Sequence, residues 1–180
     1  MSEKIISVDE QGRMTGTLDK MRAHITGQLH RAFSIFVFNT RGQLLLQQRA
    51  EGKYHSGGKW TNTCCSHPRL GEQTDVAAHR RLMEEMGFDC ELKEMFSFSY
   101  RQSLENGLIE HEFDHVFFGM FDLQPSPDPS EVTALKYLDM QELAVDLKAN
   151  PDNYTVWLKI CFEKVMEHYN QQFNYAMRDH

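Results

Sequence analysis

The stretch Phe33 to Phe38 is rich in β-branched and aromatic residues, Asn39-Thr40-Arg41-Gly42 is turn chemistry, and Leu44 to Leu46 is a second apolar run. Together they predict a β-hairpin, whose apolar side must be buried against something else. Candidates for that cover follow along the chain. Glu72 to Met86 reads as a helix closed by Gly87, a natural left-handed C-cap. Phe96, Phe98 and Tyr100 alternate with Ser97, Ser99 and Arg101, the period of a half-buried strand, and Glu110 to Phe121 reads as another. Pro151-Asp152-Asn153 then opens a helix with apolar positions at Trp157, Cys161 and Val165 and at Leu158, Phe162, Met166, Tyr169 and Phe173. Strands mixed with helices give the α/β class. At 180 residues, against roughly 150 for a typical domain, the chain is one domain over 1–180, long enough to bury a core without disulfide staples.

Charge and targeting narrow the functional classes. The net charge is −7, which argues against a general nucleic-acid binder but allows an anionic small molecule in a locally basic pocket. No apolar run approaches the roughly 18 residues that span a bilayer. The N-terminus MSEKIISVDE carries no secretory h-region. Cys64 and Cys65 are adjacent while Cys90 and Cys161 are scattered, a distribution that fits a reducing cytosol better than a disulfide framework. The reading is cytoplasmic, with no membrane partner and the oligomeric state open, a monomer being compatible. Gln124-Pro125-Ser126-Pro127-Asp128-Pro129 is a surface loop rather than a domain boundary.

Nine histidines are a reason to look for a metal. On a strand, Glu110 and Glu112 share one face, about 7 Å apart by the rise per residue. A solvated face is the plain reading; convergence on a cation is the alternative. In an extended segment Cys65 and His67 also share a face, against the plain reading of a small buried cysteine beside a loop histidine. His24 and His30 place two more imidazoles just before the first long strand. Three imidazoles with two carboxylates suit Zn, Mn or Fe(II) better than Mg or Ca. On the helix, Arg80/Glu84 and Arg81/Glu85 are i,i+4 pairs, which by spacing alone read as surface salt bridges.

The segment from Ser66 to Phe88 resembles the Nudix box. Glu72, Arg80, Leu82, Glu84, Glu85 and Gly87 match; Phe88 replaces the final aliphatic. Ser66 stands where the first glycine belongs, and Arg81 where a glutamate belongs. Thr15-Gly16-Thr17-Leu18-Asp19-Lys20, Leu29-His30-Arg31-Ala32-Phe33-Ser34, Trp60-Thr61-Asn62 with Cys65 and His67-Pro68, and Glu110 with Glu112 are similar, in order, to the type 1 isopentenyl-diphosphate isomerases. That resemblance implies a Nudix-type α-β-α sandwich around a mixed sheet, with about residues 1–30 an extension that contributes metal and substrate residues. It implies that His24, His30, His67, Glu110 and Glu112 surround Mn²⁺ or Zn²⁺, and that Glu85 holds a Mg²⁺ bridging to a substrate diphosphate. Lys20, Arg49, Lys53 and Arg81 become a diphosphate clamp, where plain surface charge is the alternative for the two lysines. Cys65 and Glu112, with Tyr100 beside Glu112, become the acid and base of a 1,3-allylic proton shift. Trp157 is either the apolar anchor of the last helix or a π face toward a carbocation. Cys64 alternates away from Cys65 into the core. A Nudix hydrolase of another diphosphate would leave Cys65 and the histidines without work, and a non-catalytic metal-binding or regulatory domain that has lost activity is disfavoured because every proposed site position is filled.

Overall fold

A computed structural model of the chain describes residues 2–176. The nine strands are β1 (Lys4–Val8), β2 (Met14–Asp19), β3 (His30–Phe38), β4 (Gln43–Arg49), β5 (Trp60–Thr61), β6 (Cys64–Ser66), β7 (Leu92–Ser103), β8 (Ile109–Met120) and β9 (Val132–Asp139). The helices are α1 (Lys20–Thr26), α2 (Thr74–Met86), α3 (Met140–Ala149) and α4 (Val156–Ala176). All nine strands form one mixed sheet. Helix α2 packs on one face, over Phe33, Ile35, Val37, Leu45 and Phe117. Helices α3 and α4 cover the other, over Phe36, Phe38, Leu44, Leu46, Val116 and Phe118. The consecutive residues of β3 therefore alternate between two cores, as a strand buried on both faces must. The expected α-β-α sandwich is the observed one.

The expected hairpin is real only at its closed end. Strands β3 and β4 pair at Phe38↔Leu44 and then part. β3 pairs in parallel with β8 along its whole length, from His30↔Glu112 to Phe38↔Met120. Its other edge is shared by β1 at His30 and by β6 at Phe33 to Ile35. β4 instead takes β9 as its antiparallel partner. The gap between β3 and β4 is filled by the segment carrying β5 and β6, which pairs with β4 at Gln47 and Gln48 and with β3 at Phe33 to Ile35.

Two helix starts also differ from the sequence pattern. Helix α2 begins at Thr74 rather than Glu72, because Gln73 is extended at the N-cap position; the Glu72 carboxylate ahead of it is engaged by Arg80. Pro151–Asn153 make a single 3₁₀ turn, not the first turn of α4. Tyr154 bridges to Trp60, and the Thr155 hydroxyl meets Thr61 at 2.8 Å, before the α-helix begins at Val156. Helix α1 starts at Asp19, whose side chain accepts from the Arg22 N–H at 3.1 Å, and stops at left-handed Gly27. Among the described residues no helix is long and apolar enough to cross a membrane.

Candidate active site

The parallel register of β3 and β8 and the antiparallel register of β7 and β8 set Tyr100, Glu112 and His30 side by side across three strands. Two residues along β8, on the same face, stands Glu110. Helix α1 brings His24 over this row, and the segment after β6 brings His67. Donor atoms of His24, His30, His67, Glu110 and Glu112 all lie within 4.8 Å of one another, and all five side chains are buried. The solvated-face reading of Glu110 and Glu112 is thereby overturned: they are 4% and 7% exposed.

The tautomers fit a cation. Nδ1 of His24 faces the Lys20 carbonyl at 2.7 Å, and Nδ1 of His30 faces the Gln28 carbonyl at 2.8 Å. A carbonyl only accepts, so each Nδ1 carries the proton and each Nε2 presents its lone pair to the cluster. Both Nε2 atoms, and one oxygen of Glu110, lack a hydrogen-bond partner although buried. Their neighbours are Glu110 Oε1 at 3.5 Å from His24 and Glu112 Oε1 at 3.6 Å from His30 and 3.1 Å from His67. Buried lone pairs facing carboxylate oxygens are repulsive unless a positive charge sits between them. The residues present therefore fit a divalent metal with nitrogen and oxygen ligands.

Titration within the cluster reflects the same crowding. Burial, then the charge of Glu112, pushes Glu110 up. Burial would raise Glu112 too, but its neighbours Glu110, His30 and His24 hold it down. Burial, then neighbouring His30, Lys20 and His24, keeps His67 well below the imidazole range. Burial alone would lower His24, yet Glu110 outweighs it and raises it.

Cys65 and Cys64 alternate as the sequence pattern requires. Cys65 lines a cleft together with Ser34, His67, Tyr100, Glu112 and Trp157. Its sulfur lies 3.2 Å from Asn62 Oδ1 and 3.5 Å from Ser34 Oγ. The Asn62 amide is fixed by its own N–H groups to the Ile35 and Cys64 carbonyls, and the Ser34 hydroxyl donates to Asp114 at 2.7 Å. Both neighbours of the thiol are acceptors, so the resting group is S–H. Burial, followed by the charge of Asp114, raises it well above the ordinary thiol range. Tyr100 donates to Glu112 Oε2 at 3.1 Å. Cys64 is fully buried, with its thiol 3.4 Å from Glu85 Oε2.

Four cations, Lys20, Arg49, Lys53 and Arg81, line the same cleft. Lys20 meets Glu3 at 3.0 Å and the Tyr54 ring at 5.5 Å. Arg49 donates to the His55 carbonyl at 3.0 Å and lies 5.1 Å over the Trp157 ring. Lys53 pairs with Glu131. Arg81 meets Glu84 at 3.0 Å, Glu85 at 2.8 Å and Glu131 at 3.5 Å. The i,i+4 pairs are thus formed, but Glu85 is only 4% exposed, which removes it from the surface reading. Gln47 holds its second oxygen at 2.9 Å. Trp157, 5% exposed, anchors α4 and also lines the cleft.

Several cleft residues escape sequence reasoning. Ser34 and Asp114 lie singly in strands and Glu131 in a polar loop, with no local pattern to mark them. Tyr54 and His55 lie between glycines in a loop whose course no periodicity reveals.

The signature of the NUDIX domain matches residues 28–158. An Aromatoleum aromaticum protein named isopentenyl-diphosphate Delta-isomerase 2 is 54% identical over 166 residues, 92% of this chain and 88% of the relative. A Pectobacterium atrosepticum isopentenyl-diphosphate Delta-isomerase is 49% identical over 92% of this chain and 93% of its own. Among solved structures, a Deinococcus radiodurans protein superposes with a TM-score of 0.76 at 17% identity, covering 90% of this chain and 98% of its own. A MutT protein of Methanosarcina mazei superposes with 0.63 at 15% identity, over 80% of this chain and 94% of its own.

Proposed function

The chain belongs to the NUDIX superfamily and, within it, to the isopentenyl-diphosphate Delta-isomerases, and on that premise we propose how its cleft performs the reversible shift between isopentenyl and dimethylallyl diphosphate. The carrying observation is that one cleft joins a buried cluster of three histidines and two glutamates, a cysteine and a tyrosine to four cations. The cations select a diphosphate and hold it by its charged end. Lys20, Arg49, Lys53 and Arg81 form this clamp, which points the five-carbon chain at Cys65, Tyr100 and Trp157. Arg81, which departs from the hydrolase box, has this anion as its reason.

A proton adds to the terminal alkene carbon, leaving a tertiary carbocation, and a different proton leaves the carbon next to the oxygen-bearing one. The new double bond forms from that C–H pair, so there is no net redox change. Glu112 and Tyr100 serve one face of the substrate and Cys65 the other; which side donates depends on direction. An alkene is a very weak base, so the exchange needs a dry, positioned acid. The buried Tyr100–Glu112 bond supplies that positioning. Trp157 offers its ring to the cation, a contact worth about 2 kcal/mol when desolvated.

His24, His30, His67, Glu110 and Glu112 would hold a divalent cation, Mn²⁺ or Zn²⁺ by their donor chemistry, and Glu85 would hold Mg²⁺ with diphosphate oxygens. When bound, such a dication makes a proton on a coordinated group more acidic and neutralises phosphate charge. The substrate is a small diphosphate, and the site needs neither nucleic acid nor membrane.

The test is NMR of isopentenyl diphosphate in D₂O with Mg²⁺ and Mn²⁺. Deuterium in dimethylallyl diphosphate is expected, and its loss after chelation. Unchanged substrate with both metals present, or release of phosphate from a diphosphate panel, would replace this reading with a hydrolase.

A further inference from the structure

Between Arg49 and Trp60 the chain makes a loop that lines the cleft with Lys53, Tyr54 and His55. Its backbone is tightly specified. Ser56 is left-handed without being glycine, at φ 54°, and its N–H is bound by the Glu105 carboxylate from the turn between β7 and β8. A Cβ on Gly57 would meet the Glu51 carbonyl oxygen at 2.6 Å, and Gly58 has φ +76° with the Glu51 carboxylate against it. A left-handed serine is held only by surrounding structure that over-determines it.

This loop delivers His55, 4% exposed, to the edge of the metal-type cluster. The His55 ring centroid is 5.8 Å from that of His24 and 5.6 Å from that of Trp157, to which its plane is nearly perpendicular at 88°. Nε2 points at Glu110 Oε2 from 3.6 Å. The two oxygens of Glu110 are not equivalent. Oε1 faces His24 within the cluster, whereas Oε2 is buried with no partner. Nδ1 of His55 lies 3.2 Å from the Ser56 hydroxyl, which can donate to it. A carboxylate opposite Nε2 favours the tautomer with its proton there, since the other would set lone pair against lone pair.

We propose that His55 is a positioning residue for Glu110, its Nε2–H holding Oε2 so that Oε1 is aimed into the cluster. This rests on the reading of Glu110 as a metal ligand. Ligating carboxylates are ordinarily fixed by a hydrogen bond to the free oxygen, and loss of such a partner costs about 10–100-fold in metal affinity. The same loop carries Lys53, so one glycine-bounded segment serves both the cation cluster and the diphosphate clamp.

Two substitutions separate positioning from packing. The Gln amide places its N–H where His Nε2 stands, and the Asn amide reaches only the Nδ1 position. Affinity for Co²⁺ alone, by chelator competition and the visible spectrum of the bound ion, is measured for wild type, His55→Gln and His55→Asn. His55→Asn is expected to weaken binding about 10–100-fold, with His55→Gln close to wild type. Variants that behave alike, both unchanged or both weakened, overturn the proposal. A wild type that binds no Co²⁺ overturns the metal-site reading and the proposal with it, a pattern distinct from the first. A readout without variants is the ¹⁵N spectrum of the wild-type imidazoles: His55 protonated on Nε2 supports the assignment, and on Nδ1 refutes it.

Discussion

Replacing each of the two adjacent cysteines by alanine should move stability and activity in opposite rank order. Cys64 is wholly buried in the core beneath α2. Cys64→Ala removes one sulfur from that core. The lost burial is worth about 1 kcal/mol, and a void of that size adds about 0.5 kcal/mol. For a chain of this length such a loss lowers Tm by about 3–6 °C. The hydrogen bond to Glu85 is long, at 3.4 Å, and Glu85 keeps Gln47 and Arg81, so turnover should stay within about fivefold. Cys65→Ala differs on both counts. Asn62 Oδ1 retains the Thr61 hydroxyl at 2.9 Å and Ser34 retains Asp114, so no acceptor is orphaned and Tm should move by no more than about 2 °C. Loss of a reacting acid or base costs about 10²–10⁴-fold, which is ~3–5 kcal/mol of barrier. Thermal melts beside the D₂O exchange assay read both quantities on the same preparations. Equal loss of turnover in the two variants, or a larger loss in Cys64→Ala, would refute the assignment of faces along β6.

Arg81→Ala should abolish saturable binding of inorganic diphosphate by calorimetry. It should also destabilise the fold by about 3–5 kcal/mol in urea melts, because it strands the buried Glu85 carboxylate; unchanged diphosphate affinity would remove Arg81 from the clamp. Gly87→Ala should cost at least about 2 kcal/mol, since φ there is +74° and the new Cβ would meet the Ser126 carbonyl at 2.0 Å; a melt within 1 °C of wild type would contradict that contact. Hydrogen bonds from Arg80 hold the Glu72 carboxyl below its usual range. Its stabilising contribution is therefore complete above the unfolded value, near pH 4.5, and is lost as pH falls through the lower folded value. Glu72→Gln should cost about 1–2 kcal/mol at pH 7 and progressively less as pH falls below 4.5; a pH-independent difference would mean that the effect is steric. Tyr100→Phe should lower kcat more than it raises KM, measured by initial rates; the reverse would make the hydroxyl a ground-state contact.

What the sequence displayed depended on whether a residue's surroundings were local. Gly87 closes α2 where the helix pattern ends, and Phe96, Phe98 and Tyr100 alternate as a strand because both periods are short-range properties. The cysteine faces were legible for the same reason. The hairpin at Asn39–Gly42 was over-read: turn chemistry fixes the first pair, but whether strands stay together depends on β8 and β9, which come much later in the chain. Pro151 misled because it begins a 3₁₀ turn as readily as an α-helix. Glu110 and Glu112 could not be told from a wet pair of carboxylates by spacing, since only the approach of α1 and the segment after β6 dries them. His55 had no pattern at all, its position being set by left-handed backbone and by a carboxylate almost fifty residues away.

The parallel pairing of β3 with β8 makes the cluster a gauge of strand alignment. A slip of one residue would turn Glu110 and Glu112 to the opposite face and put His111 in their place. A slip of two would separate His30 from Glu112 by nearly 7 Å along the strand. Either mispaired chain could still bury much of its apolar surface, because Ile35–Phe38 and Val116–Phe118 carry apolar side chains on both faces. It could not collect the same donors around one ion. A cation that binds only the correctly aligned sheet deepens that state alone by mass action, and so acts as a proofreader of topology before it takes any part in turnover.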